Sequence, residues 1–137
     1  MKNIGEGQRI RSVMDNYKDR WQWFKYDDFQ CKCGCGQNRT DPVFIDMLDV
    51  ARSESGVPFV INSGHRCDAH NRSVGSTSEN HVSGEAADIR CSDGVTRMRI
   101  IVGLIKAGFR RIGFHHAFIH ADRMDQVCGR VQSFWPY

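Results

Sequence analysis

Apolar positions between residues 41 and 55 recur at helical spacing. Phe44, Met47, Leu48 and Ala51 fall at i, i+3, i+4 and i+7, which puts them on one face of an α-helix. Asp41 can cap the start, Pro42 suits the first helical position and Gly56 stops the run, so a helix is predicted over about Asp41 to Ser55. The next stretch, Val57-Pro58-Phe59-Val60-Ile61-Asn62, is nearly all apolar and ends at Ser63-Gly64, which predicts a buried strand. A second helix is predicted from about Val95 to Ala107, with Asp93 as its cap, Gly108 as its stop, and Met98, Ile101, Val102 and Ile105 as its core stripe. Between them, Cys67 to Glu79 is rich in Ser, Asn and Gly and reads as loop. Residues Gln8 to Lys25 mix charges with Trp21, Trp23 and Phe24 and read as a helical lead-in that packs an aromatic cluster on the body.

Near the C-terminus the period changes from helical to alternating. Arg111 to His115 and Phe118 to Asp122 can pair as antiparallel strands across a two-residue turn at His116-Ala117. His115 then opposes Phe118, and Gly113 opposes His120. Because strand side chains alternate, Ile112, Phe114, Ile119 and Ala121 share an apolar face, while Gly113, His115, Phe118, His120 and Asp122 share the other. On this register Gly113 leaves space beside His120, and His115 lies diagonally from it at roughly 7 Å.

A chain of 137 residues, 40% of them hydrophobic, can bury one core and is expected to be a single domain. The net charge is only +3 and the basic residues are scattered, which argues against a nucleic-acid partner. No apolar run reaches transmembrane length, and Met1 to Gly7 lacks the apolar core of a secretory signal. The chain is therefore expected to be made in the cytoplasm, to have no membrane partner and to act as a monomer.

Six cysteines bear on the chemistry. Cys31, Cys33 and Cys35 crowd into Cys31-Lys32-Cys33-Gly34-Cys35-Gly36, while Cys67, Cys91 and Cys128 stand apart. Three thiolates plus a further ligand could hold a second, structural zinc, but Cys-x-Cys-x-Cys departs from the Cys-x2-Cys knuckle. Disulfides or reduced thiols are the favoured expectation, and six cysteines leave the pairing open.

The sharpest constellation is His81, Asp88 and His120. Two imidazoles and one carboxylate form a three-ligand set for a catalytic zinc, with the fourth position left to water. Around them the chain reads His81-x-x-Gly84-x-Ala86-x-Asp88, preceded by Ser63-Gly64-His65-Arg66-Cys67 and His70-Asn71-Arg72-Ser73-Val74-Gly75, and followed by Phe118-Ile119-His120-Ala121-Asp122. In this order the motifs resemble the zinc D-alanyl-D-alanine carboxypeptidases, which include vancomycin-resistance dipeptidases and bacteriophage endolysins; the likeness runs from roughly Phe24 to the C-terminus. One position departs from the pattern: Glu79 stands where the family usually has a serine two residues before the first ligand.

The resemblance implies an α+β fold of the DD-peptidase/Hedgehog type, a small antiparallel sheet with flanking helices, with residues 1–25 as an N-terminal extension and 26–137 as the peptidase domain. It also implies one catalytic Zn2+ on His81, Asp88 and His120, acting on peptidoglycan stem peptides at or near a D-Ala-D-Ala bond. Such an ion activates water near neutral pH and polarises a carbonyl. His115, five residues before the last ligand, is the candidate for acid/base work or oxyanion stabilisation, with His116 as runner-up. Arg66 and Ser83 are candidates for substrate binding, Arg66 because a guanidinium grips a carboxylate bidentately or polarises a peptide carbonyl. Asp122 can orient a ligand histidine through its second ring nitrogen, or pair with a basic neighbour. Glu85, inside the motif, is expected to be solvated. Small size and the missing export signal suggest a phage or prophage lysin released to the wall by another route. The alternative is a non-catalytic zinc-bearing binding or phage structural module of the same fold.

Overall fold

A computed structural model of the chain describes residues 17–137. The predicted first helix, α1, spans Pro42–Ser55, with the Asp41 carboxylate accepting from the Val43 N–H and Gly56 closing it in the left-handed region. Its buried face is Phe44, Ile45, Leu48 and Ala51. The chain then forms β1 (Ile61–Ser63), α2 (Asp68–Ser73), β2 (Ala86–Arg90), α3 (Gly94–Ala107), β3 (Arg111–Phe114), β4 (Phe118–Asp122), α4 (Met124–Cys128) and β5 (Ser133–Pro136). A 3-10 turn, Tyr26–Phe29, precedes α1.

The five strands form one sheet in the order β1-β2-β4-β3-β5, antiparallel except for the parallel pair β3 and β5. The α+β class is as expected, but the sheet is mixed because the C-terminal segment returns as an edge strand. The β3–β4 hairpin has the predicted register, Gly113 opposite His120 and Ile112 opposite Ala121, and the His115 N–H donates to the Phe118 carbonyl across the turn. Ile112, Ile119 and Ala121 are buried on the side facing the helices.

Several expectations need correcting. The apolar run at Val57–Asn62 is a strand only at its end: Pro58 has no N–H to give a ladder, and pairing starts at Ile61 on an irregular edge. The loop from Cys67 to Glu79 contains α2, capped by the Cys67 sulfur. In α3 the buried residues are Ile100, Gly103 and Leu104, whereas Met98, Val102 and Ile105 are exposed. The correct stripe was hidden because it includes a glycine. A Cβ on Gly103 would collide with the Ala51 carbonyl and lie 2.8 Å from Ser55 Cβ, so its bareness lets α3 approach α1 closely. The described part of the expected helical lead-in, residues 17–25, is turn and extended chain rather than helix. Its aromatic packing is present nonetheless, with Trp21 and Phe24 buried and the exposed Trp23 capped by the Arg52 guanidinium at 3.7 Å. The remainder of that lead-in, before residue 17, lies outside the described residues. Among the described residues no helix is long and apolar enough to cross a membrane.

Candidate metal centre and active site

Each of the three candidate ligands is placed by a different local device. His81 ends the loop that follows α2, and Gly84 then turns the chain at φ +80°, packed so closely on the Arg39 backbone that a side chain could not be accommodated. That turn leads directly into β2, where Asp88 sits opposite His120 of β4. His81, Asp88 and His120 are all buried, and one ligand atom from each lies within 4.8 Å of the other two.

Hydrogen bonding shows what the cluster is arranged to hold. His81 Nδ1 lies 2.8 Å from the Gly64 carbonyl, an acceptor only, so this nitrogen carries the proton and Nε2 presents a lone pair. That lone pair faces Asp88 Oδ1 at 3.3 Å. His120 Nε2 lies 2.7 Å from Asp122 Oδ2, which in the neutral ring leaves the Nδ1 lone pair aimed at Asp88 Oδ1 at 3.0 Å. Three electron-pair donors thus converge with their backs secured by hydrogen bonds, a set that fits a divalent cation. Until a metal arrives, a proton serves instead. Burial opposes the charge on His120, but the Asp122 and Asp88 carboxylates outweigh it and raise its pKa. Burial likewise works against the Asp88 carboxylate, yet the two histidines hold it well below the usual carboxylate range.

Asp122 contacts both His120 and a basic neighbour, Arg111. It is fully buried, orients His120, and accepts from Arg111 Nε at 2.7 Å and from the Met124 N–H at 3.0 Å. Changing Asp122 to Asn would set an N–H2 group either against the His120 Nε2–H or against the Arg111 and Met124 donors. Relief in the first case moves the imidazole proton to Nδ1, the atom needed for metal. Zinc affinity measured by chelator competition is expected to fall about 10–100-fold. Arg111→Ala, which leaves the His120 tautomer alone, should lower thermal stability with a much smaller change in zinc affinity. Equal zinc binding by wild type and Asp122→Asn would contradict this role.

Arg66 reaches the same cluster. Its guanidinium donates to Ser63 Oγ (3.1 Å) and Asn71 Oδ1 (3.3 Å) and lies 3.4 Å from Asp88 Oδ2. His115 stands at the rim on the β3–β4 turn, its ring stacked on Phe118 with 4.7 Å between centroids. Its Nδ1 accepts the Ala117 N–H at 3.1 Å, so the neutral ring carries its proton on Nε2. Arg97 of α3 holds the turn by donating to the His116 carbonyl at 2.8 Å. His116 is exposed. Ser83 is not brought to the cluster: its hydroxyl donates to the Asn80 carbonyl at 2.6 Å and contacts Met124 Sδ.

Two side chains near the cluster were not foreseen. Gly113 does not leave open space beside His120; a Cβ there would meet Trp135 Nε1 at 2.6 Å and Tyr137 Cε2 at 2.7 Å, because β5 lays its aromatic rings over that position. Trp135 and Tyr137 centroids lie 5.6 and 6.3 Å from the His120 ring, and Tyr137 is also 6.3 Å from His115. The available signal was the aromatic run Phe134-Trp135-Pro136-Tyr137 read together with a bare Gly113.

Glu85 is buried rather than solvated. Arg123 Nε lies 2.8 Å from its Oε2, but poorly aligned for a hydrogen bond. Burial and a proton shared with Asp41 push the Glu85 carboxyl up to about 8 despite that cation. The folded chain then binds a proton that the unfolded chain has released above a pKa of 4.5. The stabilisation is full below that value and is lost as pH rises from about 4.5 to about 8, an effect of order 2–4 kcal/mol. Thermal melts should show wild type losing stability across this window relative to Glu85→Gln; parallel curves would contradict the shared proton.

The fold and this cluster suit a metal-binding protein with three converging ligands. A family model described as Peptidase M15 matches residues 22–122, and the chain belongs to that family of metallopeptidases. Comparison with curated proteins finds no match.

Proposed function

We propose that this chain hydrolyses peptide bonds of peptidoglycan stems, at the D-Ala-D-Ala amide or a nearby linkage involving a D-residue. The observation that carries the reading is the convergence of the His81, Asp88 and His120 lone pairs, in a chain of the M15 peptidase family. Zinc held by these three would polarise the scissile carbonyl and activate water.

The chain's own groups supply the rest. Arg66, fixed by Ser63 and Asn71, has a guanidinium suited to the carboxylate or carbonyl of an acyl-D-residue. His115, with its proton on Nε2, donates to the oxygen that gains charge or to the departing amine. Trp135 and Tyr137 offer an apolar wall for the substrate backbone and keep bulk water from His120.

Defined muropeptides incubated with the zinc-loaded protein, with and without chelator, test this by mass spectrometry. Release of free alanine indicates carboxypeptidase action, and separated stem fragments indicate an endopeptidase. No cleavage of any wall peptide by zinc-loaded protein would sink the reading and favour a binding module. A lysin of phage or prophage origin is the setting we infer from the resemblance of its motifs to a family that includes bacteriophage endolysins.

A further inference from the structure

We propose that Cys31, Cys33, Cys35 and Cys67 form a second metal site, a tetrathiolate centre that binds one zinc ion and clamps the loop before α1 to the segment carrying Arg66. The four sulfurs lie within 4.8 Å of one another, although Cys67 is more than thirty residues from the other three. The sulfur–sulfur edges are 3.5 Å for Cys31–Cys33 and 3.7 Å for Cys33–Cys67. A tetrahedron with zinc–sulfur bonds of about 2.3 Å has sulfur–sulfur edges of about 3.8 Å. A disulfide needs about 2.05 Å, so these are the spacings of ligands around one ion and not of bonded pairs.

The backbone is also arranged for thiolates. The Cys67 N–H donates to Cys31 Sγ, the Gln37 N–H to Cys35 Sγ and the His70 N–H to Cys67 Sγ, each at 3.4 Å. Three of four sulfurs thus receive an amide donor that offsets thiolate charge. Gly34 and Gly36, both at positive φ, let the chain double back tightly enough for alternate residues Cys31, Cys33 and Cys35 to face one point. The irregular Cys-x-Cys-x-Cys spacing is therefore no obstacle, because the loop coils rather than extends. All six cysteines are unbonded to one another.

The site has a consequence for the catalytic cluster. Cys67 adjoins Arg66 and caps α2, whose Asn71 holds the Arg66 guanidinium. An ion joining Cys67 to the 31–35 loop adds a tie on the outer side of a segment that the His65 N–H to Phe29 carbonyl and Arg66 N–H to His81 carbonyl bonds hold on its inner side. Its task is structural: four protein ligands leave no open position for substrate or water.

The test uses the full chain purified under reducing conditions. Elemental analysis should find two zinc ions per chain, falling to one in Cys33→Ser/Cys35→Ser and to one in His81→Ala. These cysteines are exposed, and one zinc retained at the histidine site would show that the serine variant has folded. Cobalt-loaded wild type and His81→Ala should both show thiolate-to-cobalt charge transfer in the near ultraviolet, and the serine variant should lose it. That band reports sulfur ligation alone, so it stands whether or not the histidine site is a peptidase centre. Absence of the band in wild type, iron in place of zinc, or an intact mass showing disulfides among these residues would overturn the proposal.

Discussion

Replacing His81 with alanine is expected to abolish zinc binding at the histidine site and to lower peptide cleavage by about 10³-fold or more, since losing some 4 kcal/mol of carbonyl polarisation and water activation corresponds to that factor. The effect is large because the remaining pair, Asp88 and His120, can neutralise each other: His120 Nδ1 is 3.0 Å from Asp88 Oδ1, and a proton there closes an ion pair without metal. His81 is what turns that pair into a three-sided cradle. Its Nδ1 is tied to the Gly64 carbonyl and its ring meets His120 edge-on, with centroids 5.3 Å apart, so its Nε2 is held toward the pair. Zinc content, product formation and a melting curve should be read together. Undiminished cleavage by a folded His81→Ala protein would refute the metallopeptidase mechanism.

The parts of this arrangement that were legible in the sequence are those set by short-range rules. Asp41, Pro42 and Gly56 bracket α1 because caps act within one turn, and the β3–β4 register follows from alternation across a two-residue turn. The candidate ligand set was read from the motifs around His81, Asp88 and His120 and their resemblance to a known family. What stayed hidden depends on contacts distant in sequence. Glu85 was assigned to solvent because nothing nearby marks its burial; Asp41 and Arg123, which enclose it, come from other elements. The core stripe of α3 was misplaced because Gly103 carries no hydrophobic signal, yet it makes the tightest approach to α1. The same reason explains the cysteines. Three were visible as a cluster, but a fourth ligand more than thirty residues away is chosen only by the turn that brings Cys67 beside them.

The open corner of the site shows the converse error. Gly113 opposite His120 was correctly paired, and the inference that a missing side chain makes room was sound. The room is taken by Trp135 and Tyr137, because β5 joins the sheet in parallel beside β3. Tyr137 lies 6.3 Å from both the His120 and the His115 rings, so His115 stands beside the same aromatic wall as the cluster.

For that reason His115→Ala is expected to lower kcat about 10²-fold or more while zinc content and melting temperature stay near wild type. The group is not a metal ligand, and its ring is half-exposed, so removal leaves no buried cavity. Its value lies in the proton on Nε2, which the Ala117 N–H enforces by occupying Nδ1. A donor so placed strengthens its bond as charge develops on the carbonyl oxygen, so the loss should fall on kcat with KM little changed. His115→Gln separates the two parts of the role. The glutamine amide can still donate a hydrogen bond but cannot pass a proton, so it should recover only part of the lost kcat. A ring that only packed against Phe118 and Tyr137 would behave differently: Phe would then substitute better than Gln.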